Sequence, residues 1–297
     1  MKIHCHDDAD GLTSALFTSF AINPEKILVK TKFGDISDWS KGDYMVDMRP
    51  ESPDIEGVVI DHHLDHPDER NYTLIWDDVP ATMIAFNTFK EHIPKTQYWK
   101  AVIGLGGDAA LHLLTSEIIE SDPQLRMNVK TSISSKWDVN VHYYPLYRML
   151  SSDINALLRI RKINEALQLM ILSERPLDIH ENEDVISAKS ILKDEVKRVL
   201  NSCEVYSIKE VNVAVINTEF KLTGYIATIL DKSGASTTIV INKNDRSVSV
   251  RGDLALYLKE KLNSLNYIEF SGHPGFMGGH IGGGNVYKLL DDLTQAL

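Results

Sequence analysis

Cysteine is nearly missing from this chain. Only Cys5 and Cys203 occur in 297 residues, too few for a disulfide framework. Long apolar runs are missing too, and none approaches the roughly 18 residues of a membrane-spanning helix. The N-terminus opens on "MKIHCHDDADG", without the charged and apolar segments of a secretory signal. The sequence therefore reads as a cytoplasmic protein with reduced thiols and no membrane partner. Positive charge is also in short supply: 31 Lys and Arg stand against 42 Asp and Glu, for a net charge of −11. Contacts along a long polyanion need clustered Lys and Arg, so non-specific binding to long nucleic acid is disfavoured. A small phosphate ligand needs only a local cationic pocket and stays open. The G-x-S-x-G elbow and the P-loop pattern are absent, as are internal repeats and low-complexity segments.

What is present is an ordinary globular composition, 43% hydrophobic and 25% charged, in a chain long enough for two cores. "KIHCH" and "KILVKTKF" read as strands around the helical "GLTSALFTSFAI"; "DYMVDM" and "GVVIDHH" are short apolar runs, and "ATMIAFNTFKEHI" returns to helical spacing. Such alternation predicts a mainly parallel sheet with covering helices. Residues 109–175 read as mostly helical. A long helical stripe through Val185, Ala188, Leu192, Val196 and Val199 reads as a connector, after which "VNVAVIN", "STTIVIN" and "RSVSVRG" begin a second α/β rhythm. The expected architecture is α/β: an N-terminal mainly parallel sheet domain with covering helices (1–175), a helical linker (176–204) and a smaller C-terminal α/β domain (205–297).

Aspartates recur at the carboxyl ends of the apolar runs in the first domain. "HCHDDADG" carries His6, Asp8 and Asp10; "MVDM" carries Asp47; "VVIDHHLDH" carries Asp61, His62 and His63; "GLGGDAA" carries Asp108. In open α/β sheets, ligands bind outside the carboxyl ends of the strands. If these segments converge there, Asp8, Asp10, Asp47 and Asp108 crowd negative charge that needs compensation. Two divalent cations would supply it, with His6 and His62 completing the ligand sets. Mixed carboxylate and imidazole ligation suits manganese, with magnesium, zinc or cobalt as alternatives. Each signal alone has a plainer reading, since an aspartate after a strand usually caps a turn or helix; the combination is what points to metal. His4 stands by as a substitute ligand on the face of His6, Asp7 faces the other way, and His66 in "LDHPDER" reads as solvated.

These motifs, "HDDADG", "VDM", "DHH" and "GGDAA", resemble those of the DHH phosphoesterase superfamily, in the branch of RecJ-like exonucleases and nanoRNases. The resemblance implies that His6, Asp8 and Asp47 hold one metal, and that Asp10, Asp47, His62 and Asp108 hold the other, with Asp47 bridging. It implies that Asp61 orients a neighbouring histidine and that His63 contacts the scissile phosphate or assists the leaving group. The C-terminal domain resembles the DHH-associated domain. There, Arg251 at the end of "SVSVRG" and the stretch "SGHPGFMGGHIGGG" would grip the substrate. Two registers fit the expected glycine-histidine motif: Gly272-His273 with Gly278, which is preferred, and Gly279-His280. Phe276 and Met277 stand where the family has small residues. A glycine-rich loop before the last helix would let backbone N–H groups approach phosphate. "LLRIRK", with Arg159, Arg161 and Lys162, reads as a solvated helix face.

The implied activity is a manganese-dependent phosphodiesterase, a metal-binding hydrolase in which two metals activate a water. With neither an extended basic channel nor aromatic platforms for long strands, the expected substrate is a short oligonucleotide or dinucleotide. A RecJ-like single-strand DNA exonuclease is the alternative. An inorganic pyrophosphatase and a non-catalytic nucleotide-binding module are the readings from other classes. Single-stranded nucleic acid as a partner and a homodimer stay open.

Overall fold

The computed structural model describes residues 1–64, 66–134, 139–231, 237–263, 265, 267–273, 275–282 and 286–296. The chain divides into two compact units: Met1–Leu158 with Lys162–Lys189, and Arg159–Arg161 with Ser190–Leu297. Among the described residues, no helix is long and apolar enough to cross a membrane.

Unit one runs β1 (Lys2–His6), α1 (Ala9–Ile22), β2 (Lys26–Lys30), β3 (Asp43–Val46), β4 (Gly57–Asp61), β5 (Thr73–Trp76), α2 (Ala81–Phe89), α3 (Ala101–Gly107) and α4 (Ser116–Glu120). It continues with β6 (Asn128–Ser134), β7 (Val139–Pro145), α5 (Leu150–Arg159), α6 (Ile163–Leu172) and α7 (Pro176–His180). The first five strands lie in the order β2-β1-β3-β4-β5, every neighbouring pair parallel. From β1 the chain steps out to β2, then returns to the other side of β1 for β3. That reversal opens a crevice at the carboxyl ends of β1 and β3. Helix α1 is buried from Ala9 to Thr18, as expected of a helix apolar around its circumference, and it packs against β1, α2 and α3. Elsewhere loops do the covering: Phe33, Ile36 and Trp39 pack on a cluster containing Met45, Val59 and Tyr72.

Two elements depart from the expectation. Short β5 was not foreseen, and the segment read as mostly helical contains the antiparallel hairpin β6–β7. The reason is local: "NVKTSIS" alternates Val129, Thr131 and Ile133 with polar residues, and "VNVHYYP" is β-branched and aromatic, a composition that suits a pleated strand better than a helix.

Helix α8 (Glu183–Ser202) crosses from unit one into unit two and buries Val185, Ala188, Leu192 and Val199. Unit two then has β8 (Glu204–Ile208), β9 (Val211–Ile216), α9 (Thr223–Asp231), β10 (Thr237–Asn242), β11 (Ser247–Gly252), α10 (Ala255–Asn263), β12 (Ile268–His273), β13 (Phe276–Ile281) and α11 (Val286–Ala296). Its sheet runs β12-β13-β11-β10-β9-β8 and is antiparallel except for β9 and β10, which α9 joins. Side chains alternate between the faces of a strand. On one face Val213, Ile239, Val248, Val250, Met277 and Ile281 form a core with residues of α10 and α11. The other face carries Ser247, Ser249 and Arg251 from β11, and Phe276, Gly278 and His280 from β13. Helix α9 packs on that second face over β10 and β11.

The stretch expected as a phosphate-binding loop is therefore a hairpin, with Gly272 and His273 ending β12 and Gly278, Gly279 and His280 inside β13. Gly275, at φ 81°, serves the turn, and the apolar Met277 and Ile281 draw the following strand onto the core.

Candidate metal centre

The crevice at the ends of β1 and β3 is built from backbone first. β1 ends on His6, and Asp8 caps α1 by accepting the Gly11 N–H at 2.9 Å through Oδ1. Its other oxygen lies 2.6 Å from His6 Nδ1. Asp10, fully buried, accepts the N–H groups of Ala81 at 2.8 Å and Thr82 at 2.9 Å. Helix α2 starts on Pro80, which has no side chain to cap it, so Asp10 satisfies two of the donors that a helix start leaves unpaired. The capping reading and the metal reading of these aspartates are thus compatible: each carboxylate is held by a helix start and presented to the crevice.

Asp47 follows β3 with φ 58°, a left-handed conformation uncommon outside glycine. Its N–H donates to the Ile60 carbonyl at 2.9 Å, and it is 3% exposed. Residues held in such conformations cluster at functional sites. Asp108 ends α3, which the glycines of "GLGGD" bring close. A Cβ at Gly104 would stand 2.7 Å from Thr82 Cβ and 3.1 Å from Asp10 Oδ1, and one at Gly107 would stand 3.0 Å from Ala9 Cβ.

The metal-type residues fall into overlapping groups whose ligand atoms lie within 4.8 Å of one another: His6, Asp8 and Asp47; Asp10, His62 and Asp108; and Asp47 with Asp61, His62 and His63. His62 Nε2 ties the first two together, at 3.3 Å from Asp47, 3.4 Å from Asp108 and 4.0 Å from Asp10. Burial, with Asp8 and Asp10 alongside, pushes the Asp47 carboxyl well above its ordinary range. Burial likewise raises Asp10, and it pushes Asp108, beside Asp10 and Asp47, up to about 9. Among the described residues, Asp10, Asp47 and Asp108 have imidazoles but no lysine or arginine as ion-pair partners. Carboxylates so desolvated and so close ionise together only around added positive charge. The donor set fits divalent cations.

Asp61 differs. Burial would raise it, but His63 and His66 outweigh burial and hold its carboxyl far below the ordinary range. Its Oδ1 accepts from His63 Nδ1 at 2.7 Å and from the His62 N–H at 2.8 Å, while its Oδ2 accepts from His66 Nε2 at 2.9 Å. A neutral His66 then accepts from the Tyr72 hydroxyl through Nδ1, 2.9 Å away. Burial opposes protonation of His63, but Asp61 overrides it and raises that imidazole.

His66 was read as solvated, and that is corrected here: its side chain is 5% exposed and fixed on Asp61. The acidic neighbours hid it; the spacing of three residues from His63 was the available signal. Phe33 was also missed. Its ring sits edge-on to His63 at 5.0 Å and to His6 at 5.8 Å. His4 is no substitute ligand, since it lies 3.2 Å from Asp43 and fully buried. Asp7, 2% exposed, lies 3.5 Å from His6 Nε2.

In unit two, Arg251, Gly278 and His280 share one sheet face while Gly279 belongs to the other. Gly272 ends β12 with His273, whose side chain lies outside the described residues. In "LLRIRK", Arg159 is covered, lying over the Tyr225 ring at 4.4 Å, while Arg161 and Lys162 are solvent-facing, in exposed pairs with Asp245 at 3.0 Å and Asp184 at 2.8 Å.

No protein-family model matches the sequence, and no curated protein does either. Solved structures do match in fold. RecJ from Thermus thermophilus in complex with Mn2+ aligns with TM-score 0.67 at 14% identity, over 99% of this chain and 51% of the other. An exonuclease RecJ bound to manganese aligns with TM-score 0.63 at 14% identity, over 99% and 88%. The DHH domain of a member of a ribosomal-protein family aligns with TM-score 0.64 at 14% identity, over 99% and 85%. This chain spans about half the length of the Thermus RecJ. Its fold is that of the DHH-domain proteins, two α/β units with a buried His/Asp cluster able to hold metal.

Proposed function

We propose that this chain is a manganese-dependent phosphodiesterase that hydrolyses short oligonucleotides or dinucleotide phosphoesters. One observation carries the reading: ligands remote in sequence meet in overlapping groups at the point where the sheet order reverses. His6, Asp8 and Asp47 would hold one cation, and Asp10, His62 and Asp108, with Asp47 shared, the other. Bound there, a pair of divalent cations supplies an activated water and offsets charge on the phosphoryl oxygens. Asp61 fixes His63 through Nδ1, so Nε2 is the nitrogen that donates to a phosphoryl or leaving oxygen. Asp61 raises that imidazole against the effect of burial and so favours its proton-carrying form. Phe33 shields this side of the crevice.

In unit two, Arg251 grips a phosphate, with Gly278 and His280 beside it on the same sheet face. The net charge of −11 favours short substrates over long strands. The fold likeness to exonuclease RecJ favours the second reading, a single-strand DNA exonuclease. The experiment is cleavage of 5′-labelled RNA and DNA of graded length, with linear dinucleotides, in manganese. Rates should fall steeply with length. Undiminished, salt-resistant cleavage of long DNA would select the second reading, and no hydrolysis of any substrate would reject both.

A further inference from the structure

The second face of the unit-two sheet has an uncovered part. Over β10 and β11 it is closed by α9: Thr223 Oγ1 meets Ser247 Oγ at 3.1 Å, and a Cβ at Gly224 would stand 3.0 Å from Arg251 and 3.6 Å from Ser249. Along β13 it is open among the described residues. Phe276 is 58% exposed and His280 is exposed. Between them a Cβ at Gly278 would meet no described atom nearer than the Val248 carbonyl at 4.0 Å. Strand β13 thus presents a ring, a bare stretch of backbone and an imidazole on one face.

Phe276 is also paired. It lies directly across from Arg251 in the ladder, and the guanidinium carbon sits 5.1 Å from the ring centroid. The guanidinium itself is anchored, with Nη1 donating to Ser249 Oγ at 2.8 Å, to the Val250 carbonyl at 2.8 Å and to the Met277 carbonyl at 3.3 Å. Its buried Nε has no hydrogen-bond partner, and no carboxylate pairs with Arg251 among the described residues. Asp231 acts on its charge without a direct pair, and a desolvated cation so weakly compensated favours an anion from outside. A solvent-facing aromatic ring held rigid on that cation implies something flat stacked on its outer side.

We infer that Phe276 is a nucleobase platform: a nucleotide stacks its base on the Phe276 ring, over the bare backbone at Gly278, while Arg251 meets its phosphate. This rests on the reading of unit two as the substrate grip and adds what sets its selectivity. Stacking is tolerant of sequence because every base has a π-face, so Phe276 separates nucleotides from phosphates without a base rather than one base from another. The large ring, standing where small residues were expected, is the departure that creates the platform.

The test compares AMP with ribose 5-phosphate, by calorimetry in manganese, on the full-length chain. The two ligands share the phosphate, so contacts to it at any site cancel in the ratio of their affinities. Wild type should prefer AMP by about tenfold or more. Phe276→Ala should bring the ratio close to one, and Phe276→Tyr should restore it. Gly278→Val suits a strand but raises a side chain from the floor, and it should weaken AMP selectively even if Phe276→Ala fails to fold. An unchanged ratio in Phe276→Ala or Gly278→Val, or no preference in wild type, would overturn the platform. Manganese-dependent cleavage of bis(4-nitrophenyl) phosphate by wild type is read in parallel. Its absence would sink the hydrolase while leaving the affinity ratio to decide the platform.

Discussion

The two units solve opposite electrostatic problems. At the strand ends of unit one, carboxylates are packed against each other with too little positive charge to balance them. On the second sheet face of unit two, a desolvated guanidinium has no carboxylate in direct ion pair with it among the described residues, Asp231 acting only from a distance. Each is costly alone, since a buried charge without a partner is destabilising. Under the proposed function, both costs would be removed by ligands of opposite sign: cations in the first and phosphate in the second. Removing a group from unit one should therefore damage turnover, and removing one from unit two should damage binding.

The largest effect is expected from Asp47→Asn. Asparagine tolerates the left-handed backbone, so the fold should survive while turnover falls by about a thousandfold or more; retained hydrolysis would break the assignment of Asp47 to both cations. Asp61→Asn should lower kcat by about a hundredfold, the size of a lost proton donor, because His63 loses the acceptor that orients it. His66→Ala, one contact further out, should cost about tenfold, within the range for groups that orient ligands; an effect as large as that of Asp61→Asn would mean His66 itself touches substrate. Arg251→Ala should raise KM about tenfold with kcat little changed, the mark of uniform binding. A fall in kcat instead would blur the division between the units.

The smallest effect concerns stability. Burial, with Asp10 and Asp47 alongside, raises the carboxyl of Asp108 to about 9. The folded state therefore holds this proton more tightly than the unfolded chain, and the stability it confers is present in acid and lost as pH rises from about 4 to 9. Melting temperature in chelator should accordingly decline across that window through this group, and manganese should flatten the decline by holding the carboxylates ionised. Asp61 works the other way, losing its contribution as pH falls below the ordinary carboxylate range.

Much of unit one was legible because its candidate ligands follow strand ends or mark helix ends, and these are visible as apolar runs closed by Asp or His. The parallel sheet, the covering helices and the convergence of His6, Asp8, Asp10, Asp47, His62 and Asp108 follow from that pattern. His66 was not legible because its role depends on the loop folding back onto Asp61, a tertiary contact with no periodic trace. Hairpin β6–β7 was hidden by the helical spacing of its neighbours. In unit two, the glycine richness of "SGHPGFMGGHIGGG" suggested a loop and outweighed the alternation of Met277 and Ile281 that places the strand. The same bias made Phe276 look like an irregularity rather than a feature.

Asp10 fastens the start of α2 to α1 through two hydrogen bonds across some seventy positions of chain. A lineage drifting away from this chemistry would therefore shed its donors unevenly. His6, partly solvent-facing, should be exchanged with little penalty to the scaffold, whereas Asp10 is a rivet as well as a candidate ligand. A descendant that had lost all catalysis would be expected to keep that aspartate still, a relic preserved by architecture after its first purpose had gone.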